Sequence, residues 1–351
     1  MSAISADEVI TAGLAAGLDA VGIAPADPFE STRATLVDRR EQGLHGGMAF
    51  TYRNPDRSTD PGRTVGGARS LVVGALGYRR AASARPDRAV GRVAAYARRD
   101  HYAELRDALS QVADLLHGAG HNAAVVADDN ALVDREAANR AGLGWYGKNS
   151  NILLPGKGSW FVLGTVITTA ELDPSTPVPD QCGPCRRCLD GCPTGAIVAP
   201  GVVDARRCLA WLVQADGDFP LEFREALGDR IYGCDDCQEV CPPNRLAESD
   251  QTRAATGDGD REDDTPWVDL VELLQLDDDE LMARYGRWYI PKRDPRYVRR
   301  NALVALGNSG RGTDPEVAGT VHRYQSASDP MLVRHADWAA SRLGITAAEA
   351  V

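Results

Sequence analysis

The chain has 351 residues, 43% hydrophobic and 25% charged, the balance of a globular protein of two or three domains and not of a disordered or fibrous chain. Its 39 Lys+Arg against 50 Asp+Glu give a formal net charge of -11, which excludes a basic coat over the whole surface and confines any nucleic-acid binding to a local patch. No apolar run reaches the roughly 18 residues that a membrane span needs, and residues 1–8 lack the basic start of a secretion signal, so a cytoplasmic protein is expected.

In chain order, residues 6–16 have helical apolar spacing, and 20–24 read as a short buried strand ended by Pro25. A second apolar run covers 71–76, a second helix 102–117 and a third strand 123–127. Residues 160–168, rich in β-branched and aromatic side chains, give the clearest strand. This alternation predicts a layered α/β or α+β domain over 1–175, closed by Pro174, Pro177 and Pro179. A cysteine module follows over 176–246. The stretch 247–266, nearly all Asp, Glu, Gly and Thr, reads as an acidic linker or loop. Over 267–351, Asp294-Pro295, Asp314-Pro315 and Asp329-Pro330 each open an Ala- or Leu-rich segment. Asp caps and Pro fits the first turn, so these are helix starts in helical repeats of the HEAT type.

All eight cysteines fall between Cys182 and Cys241. Stable disulfides are rare in reducing cytosol, so the cluster points to metal or redox chemistry. Cys182-x2-Cys185-x2-Cys188-x3-Cys192-Pro193 is the bacterial ferredoxin run for a [4Fe–4S] cluster, and Cys234-x2-Cys237-x3-Cys241-Pro242 is a second half, with Cys208 upstream as its missing member. The fourth cysteine of such a run serves the other cluster. One set is therefore Cys182, Cys185, Cys188 and Cys241, and the other Cys192, Cys208, Cys234 and Cys237. Two CxxC pairs also suit a zinc site, but a single zinc would leave four cysteines and both Cys-Pro endings unexplained.

Gly142-x-Gly144-x-x-Gly147 matches the dinucleotide pattern, yet it follows a helical stretch instead of a strand and is read as a coincidence. Its surroundings are Asp128-Asp129-Asn130, which alone reads as a turn or helix cap, and Gly142-Leu143-Gly144-Trp145-Tyr146-Gly147-Lys148-Asn149. Between 281 and 300 lie Arg284, Arg287, Lys292, Arg293, Arg296, Arg299 and Arg300 against Asp294 alone, interleaved with Tyr285, Trp288, Tyr289 and Tyr297. Such a strip suits an RNA loop, phosphates on the cations and unpaired bases on the rings. It suits a solvated helix face beside the acidic stretch 251–280 equally well.

These motifs together, with Gly158-Ser159-Trp160, Cys192-Pro193-Thr194-Gly195-Ala196, Ile231-Tyr232-Gly233-Cys234 and Arg300-Asn301-Ala302-Leu303, resemble the epoxyqueuosine reductase family over about residues 20–344. The resemblance implies an α+β multidomain protein: a nitroreductase-like cobalamin-binding domain, a ferredoxin-like module with two [4Fe–4S] clusters and C-terminal HEAT-like helices that help hold tRNA. It implies an oxidoreductase that converts the epoxide of epoxyqueuosine to the alkene of queuosine at the tRNA wobble position, with Asp128 as proton donor. It further implies corrin contacts from Arg57, Asp128, Lys148, Asn149, Ile152, Ser159 and Gln214, tRNA contacts from the basic strip, an external electron donor of flavodoxin or ferredoxin type, and a monomer. The alternatives are a paralogous corrinoid reductase of a small molecule, akin to the reductive dehalogenases, an electron-transfer module without catalysis, and a zinc-bound tRNA adaptor.

Overall fold

The computed structural model describes residues 4–78, 83–247 and 265–346. Contacts divide the chain into two compact units: 1–79, 100–204 and 236–259 form one, and 80–99, 205–235 and 260–351 the other. Among the described residues the strands run, in chain order, β1 (Ala20–Pro25), β2 (Ser70–Gly77), β3 (Val90–Val93), β4 (Ala123–Val126), β5 (Trp145–Tyr146), β6 (Ile152–Leu153), β7 (Phe161–Thr168), β8 (Ile197–Ala199), β9 (Val202–Val203), β10 (Arg230–Tyr232) and β11 (Trp267–Asp269). No helix among these residues is long and apolar enough to cross a membrane.

The first unit is built on a four-stranded sheet ordered β1-β2-β7-β4. Every neighbouring pair is antiparallel, so the alternation of helices and strands does not signal parallel crossovers and the class is α+β. The helix His101–Gly118 is capped by Asp100, whose side chain accepts the Ala103 N–H, and buries Leu105, Leu109, Val112 and Leu116 at helical spacing. It lies on the sheet because Gly74 of β2 and Gly164 of β7 stand opposite each other and leave a hollow. A Cβ on Gly164 would lie 2.7 Å from a Leu109 methyl, and one on Gly74 3.1 Å from another. A separate core cluster joins Leu71 and Val73 of β2 to Phe29, Leu132 and Leu143.

In the second unit β3 pairs parallel with β10 and antiparallel with β11. Strand β3, four residues within the expected first domain, thus belongs to the C-terminal unit, and its Val93 shares a core with Ile231, Leu270, Leu303 and Val321. The helices Arg296–Gly307, Pro315–Gln325 and Pro330–Leu343 pack together. The three Asp-Pro starts share one geometry. The Oδ1 of Asp294, Asp314 and Asp329 accepts the N–H two residues on at 3.0, 2.9 and 2.8 Å, and Pro fills the position that needs no donor. Most of the acidic stretch expected as a linker, 248–264, lies outside the described residues.

Candidate functional site

All eight cysteines carry reduced thiols and are half-buried. Six of them, Cys182, Cys185, Cys188, Cys192, Cys237 and Cys241, belong to the first unit, and Cys208 and Cys234 to the second. The run starts in a turn in which Asp180 Oδ1 accepts the Cys182 N–H at 2.8 Å and Cys182 O accepts the Cys185 N–H at 3.1 Å. Gly183 takes a positive φ of 48° there, a conformation that glycine adopts without a Cβ clash. The Cys241 thiol is raised to about 11, first by burial and then by the neighbouring Cys188, Cys182 and Cys185 sulfurs, against the Asn244 N–H. Cys188 is raised by burial first and by Cys182 and Cys185 after it. Cys241, distant in sequence, therefore shares one field with the first three thiols, and a cationic iron–sulfur core would reverse the rise at Cys188 and Cys241. Cys192 is engaged by its own turn: its Sγ accepts the Ala196 N–H at 3.2 Å across the tight Pro193–Gly195 segment. Among the described residues no three His, Cys, Asp or Glu side chains converge at single-ion distance.

The cluster segment is fastened to the rest of its unit by side chains. Lys148 Nζ donates to Gly183 O at 2.6 Å and to Cys185 O at 2.8 Å, and Asn149 Nδ2 to Cys237 O at 3.3 Å. Asn244, fully buried, accepts the Ser159 N–H at 2.6 Å and donates to Ser159 Oγ at 3.1 Å and Gln238 O at 2.8 Å. Gln238 Nε2 in turn donates to Ser159 O at 3.0 Å and Tyr78 Oη at 3.2 Å. Gly158 must be glycine: its φ is 73°, and a Cβ would stand 2.1 Å from Asn244 Oδ1. Sequence reasoning reached Lys148, Asn149 and Ser159 as corrin contacts but missed Asn244, Gln238 and Tyr78. The available signal was a pair of amides flanking Cys237 and the Cys241-Pro242 ending, in a segment with no solvent-loop composition.

The glycines of 142–147 serve the β5–β6 hairpin. A Cβ on Gly144 would come 2.1 Å from Leu153 O, and one on Gly142 2.2 Å from Thr176 O, so the glycines are there to let backbone pack against backbone.

Asp128 follows β4 with φ 54°, in the left-handed region that Asp tolerates better than most residues. Asp129 Oδ1 accepts the Ala131 N–H at 2.7 Å and closes the turn. Asp128 reaches solvent, yet protein atoms crowd it enough for desolvation to raise its carboxyl above the usual carboxylate range. Arg106 opposes that rise, while Asp129 and Asp100 add to it. Six residues on, Asp134 opens the helix Asp134–Arg140. Its Oδ1 is shut from solvent with no hydrogen-bond partner among the described residues. Burial raises it well above the carboxylate range, the Asp128 charge adds to the rise, and Arg135 and the Asp128 N–H oppose it. The Tyr102 phenol, raised by burial and then by both carboxyls, lies in the same field.

The other expected corrin contacts are dispersed. Arg57 is exposed, as Asp128 is. Ile152 is only 4% exposed and packs in the core, so its side chain is not offered to a ligand, a correction to the expectation. Gln214, in the second unit, donates to Tyr96 Oη at 3.3 Å and Ala210 O at 3.0 Å. Arg57 and Asp128 suit the amide rim of a corrin, whereas Lys148, Asn149, Ser159 and Gln214 already bond protein.

The basic strip divides sharply. Arg300 is 0% exposed, and its guanidinium donates to Leu212 O at 3.0 Å, Ala215 O at 2.8 Å and Gly217 O at 2.6 Å. It cannot reach a phosphate and leaves the set of expected tRNA contacts. Arg299, its side chain 11% exposed, pairs with Asp278 and donates to Leu276 O, so it is removed for the same reason. Arg287 donates to Ala97 O and Arg98 O, and Arg293 to Gly286 O. Arg284, Arg296 and Lys292 form surface pairs with Glu272, Asp294 and Asp216, the last at 3.5 Å with Lys292 74% exposed. Exposed pairs of this kind hold weakly and exchange readily for another anion.

Residues 181–244 match the family model of a 4Fe-4S double cluster binding domain. The chain is 33% identical over 347 residues to an epoxyqueuosine reductase of Bacillus anthracis, covering 96% of this chain and 88% of that one. The chain belongs to the epoxyqueuosine reductase family. A Xanthomonas campestris member is 33% identical over 353 residues, covering 97% of each. Among solved structures, an epoxyqueuosine reductase with an epoxyqueuosine-modified tRNA-Tyr stem loop matches with TM-score 0.84 and 29% identity over 96% of this chain and 90% of that one. The Streptococcus thermophilus enzyme matches with TM-score 0.85 and 27% identity over 97% and 91%.

Proposed function

We propose that this protein is an oxidoreductase that reduces the epoxide of epoxyqueuosine in tRNA to the alkene of queuosine. The observation that carries the reading is the nearly full-length likeness to family members, one of them solved with the modified stem loop. Cys182, Cys185, Cys188 and Cys241 hold one [4Fe–4S] cluster, and Cys192, Cys208, Cys234 and Cys237 the other. The shared field of the first four thiols supports this partition. Cobalamin is the second cofactor, with the exposed Arg57 and Asp128 as contacts from this chain; when bound it supplies the strongly reducing metal centre. The first unit is nitroreductase-like and the C-terminal helices HEAT-like. Electrons come from an external donor, the protein acts as a monomer, and its tRNA substrate puts it in the cytoplasm.

Opening an epoxide to an alkene consumes two electrons and two protons and releases water. The departing oxygen needs a proton, and Asp128 supplies it. Crowding, Asp129 and Asp100 keep its carboxyl protonated to higher pH than an ordinary Asp, the requirement for a general acid near neutrality. The stem loop is held by Arg284, Lys292 and Arg296, whose surface partners give way to phosphate, with the exposed ring of Tyr289 available for a base.

The test uses anaerobically reconstituted protein with cobalamin, a strong reductant and an epoxyqueuosine-bearing stem loop, followed by mass analysis of the nucleosides. Loss of one oxygen from the modified base, dependent on cobalamin, is expected. Asp128→Ala should keep its iron and corrin and lose about 100-fold or more in turnover. An unchanged nucleoside from fully loaded wild-type protein would overturn the assignment.

A further inference from the structure

Lys148 is held on both sides. Its own carbonyl accepts the Gly201 N–H at 2.9 Å, and Ser150 Oγ donates to Gly201 O at 3.0 Å. The neighbouring turn is closed by the Gly147 N–H to Asn151 O at 2.8 Å. From this fixed base the ammonium reaches Gly183 O at 2.6 Å and Cys185 O at 2.8 Å, the carbonyls within and at the end of the turn that carries the thiols of Cys182 and Cys185. Among the described residues no carboxylate pairs with Lys148: nearby Asp180 accepts the Cys182 N–H and Asp190 pairs with Arg186. The ammonium is therefore pinned beside two thiols by two short bonds, with no ion pair to it among the described residues.

A mere fastener would not need a charge. Asn149 ties Cys237 O with a neutral amide, and Asn244 and Gln238 hold the Cys241 end in the same way. At the Cys182–Cys185 turn the chain uses an ammonium instead, a compact point charge. Each reduction of a thiolate-bound iron–sulfur cluster adds one negative charge to a centre that is already negative, and cluster potentials follow net charge, hydrogen bonding and exposure. Groups that contact the ligands without binding iron set that balance.

We propose that Lys148 is the positioning residue that sets the potential of the cluster held by Cys182, Cys185, Cys188 and Cys241, its charge favouring the reduced state so that this cluster accepts electrons from a weaker external donor. The proposal rests on that four-cysteine assignment and not on the tRNA reaction.

The experiment is an anaerobic redox titration of the reconstituted full-length protein, followed by electron paramagnetic resonance, without tRNA or cobalamin. Lys148→Gln keeps an N–H donor and loses the charge, Lys148→Met loses both, and Lys148→Arg keeps both. In Lys148→Gln one of the two clusters is expected to become at least about tenfold harder to reduce, a shift of about 59 mV to more negative potential for a one-electron couple. The other cluster should stay put, and Lys148→Arg should stay near wild type. Unchanged midpoints in Lys148→Gln at full iron and sulfide content would overturn the proposal, as would a shift in Lys148→Arg as large as that in Lys148→Gln. If Lys148→Met fails to load iron, Lys148→Gln still decides the question. Because no nucleoside is measured, a protein that leaves epoxyqueuosine unchanged does not affect this result.

Discussion

Asp134 shows what one buried acid costs. Its carboxyl is raised in the fold, so the folded state binds its proton more tightly than the unfolded chain does. For a carboxyl raised in this way, the favourable contribution is complete below the unfolded value of about 3.9 and is lost as pH climbs toward the folded value. Asp134→Asn keeps an oxygen for the Asp128 N–H and has no proton to lose. Its melting temperature should match wild type near pH 4 and exceed it by a margin that grows toward neutrality, as thermal unfolding at a series of pH values would show. A constant difference across that range would mean that Asp134 is ionised in the fold. The same scale marks what sequence can disclose about a cation. Arg284 and Arg300 look alike in a basic strip, yet one pairs with Glu272 at the surface while the other directs its donors to backbone carbonyls inside the unit. Nothing local separates them, because burial is decided by the backbone carbonyls of Leu212, Ala215 and Gly217, more than 80 residues upstream. The turn at Asp128 was legible in sequence for a different reason, since Asp128-Asp129-Asn130 carries its turn chemistry in one short segment.

At the scale of elements, the helices Arg296–Gly307 and Pro330–Leu343 hold an irregular stretch around residues 212–224 through buried polar groups. Arg300 takes its carbonyls, and His335, 0% exposed, takes its Phe219 N–H on Nε2 at 3.1 Å while Nδ1 lies 2.7 Å from Met331 O. That pairing fixes the neutral tautomer with Nδ1–H donating and Nε2 accepting. Burial first, then the charges of Arg224 and Arg300, lowers His335 to about 4, against the Met331 carbonyl and Asp218. The sign follows directly. A histidine depressed in the fold is neutral there while the unfolded chain takes a proton near 6.5, so its share of stability is present above that value and fades as pH falls toward 4. The shift from 6.5 to about 4 corresponds to about 3 kcal/mol. In denaturant unfolding the stability difference between wild type and His335→Gln should fall by that order between pH 7 and pH 4, the variant being less stable at pH 7 and lacking this part of the profile. The three Asp-Pro starts that frame these helices were readable because capping is local. The partners of Arg300 and His335 were not, because they come from a segment without regular periodicity.

For the molecule as a whole, the longest-range fact in the sequence was also the plainest. The doubled cysteine run names a two-cluster module from spacing alone, while the division into units escaped because β3 carries only four residues and its partners lie near 230 and 267. Spacing also makes a claim about pairing that composition cannot, namely that Cys241 completes the set begun by Cys182 and Cys192 does not. In the structure Cys241 lies in the field of Cys182, Cys185 and Cys188, while the Cys192 sulfur is engaged by its own turn. Cys241→Ser should therefore lose roughly half of the iron and sulfide of the reconstituted protein and leave one cluster's resonance signal. Cys185→Ser should leave that same signal, and Cys192→Ser the other one. If four consecutive cysteines of the first run held one cluster instead, Cys192→Ser would match Cys185→Ser, and Cys241→Ser would stand apart. Iron analysis alone does not separate these arrangements, since each variant loses about half in both. The identity of the surviving signal does, because on the proposed pairing the two clusters have different surroundings, one of them with the Lys148 ammonium at its first turn.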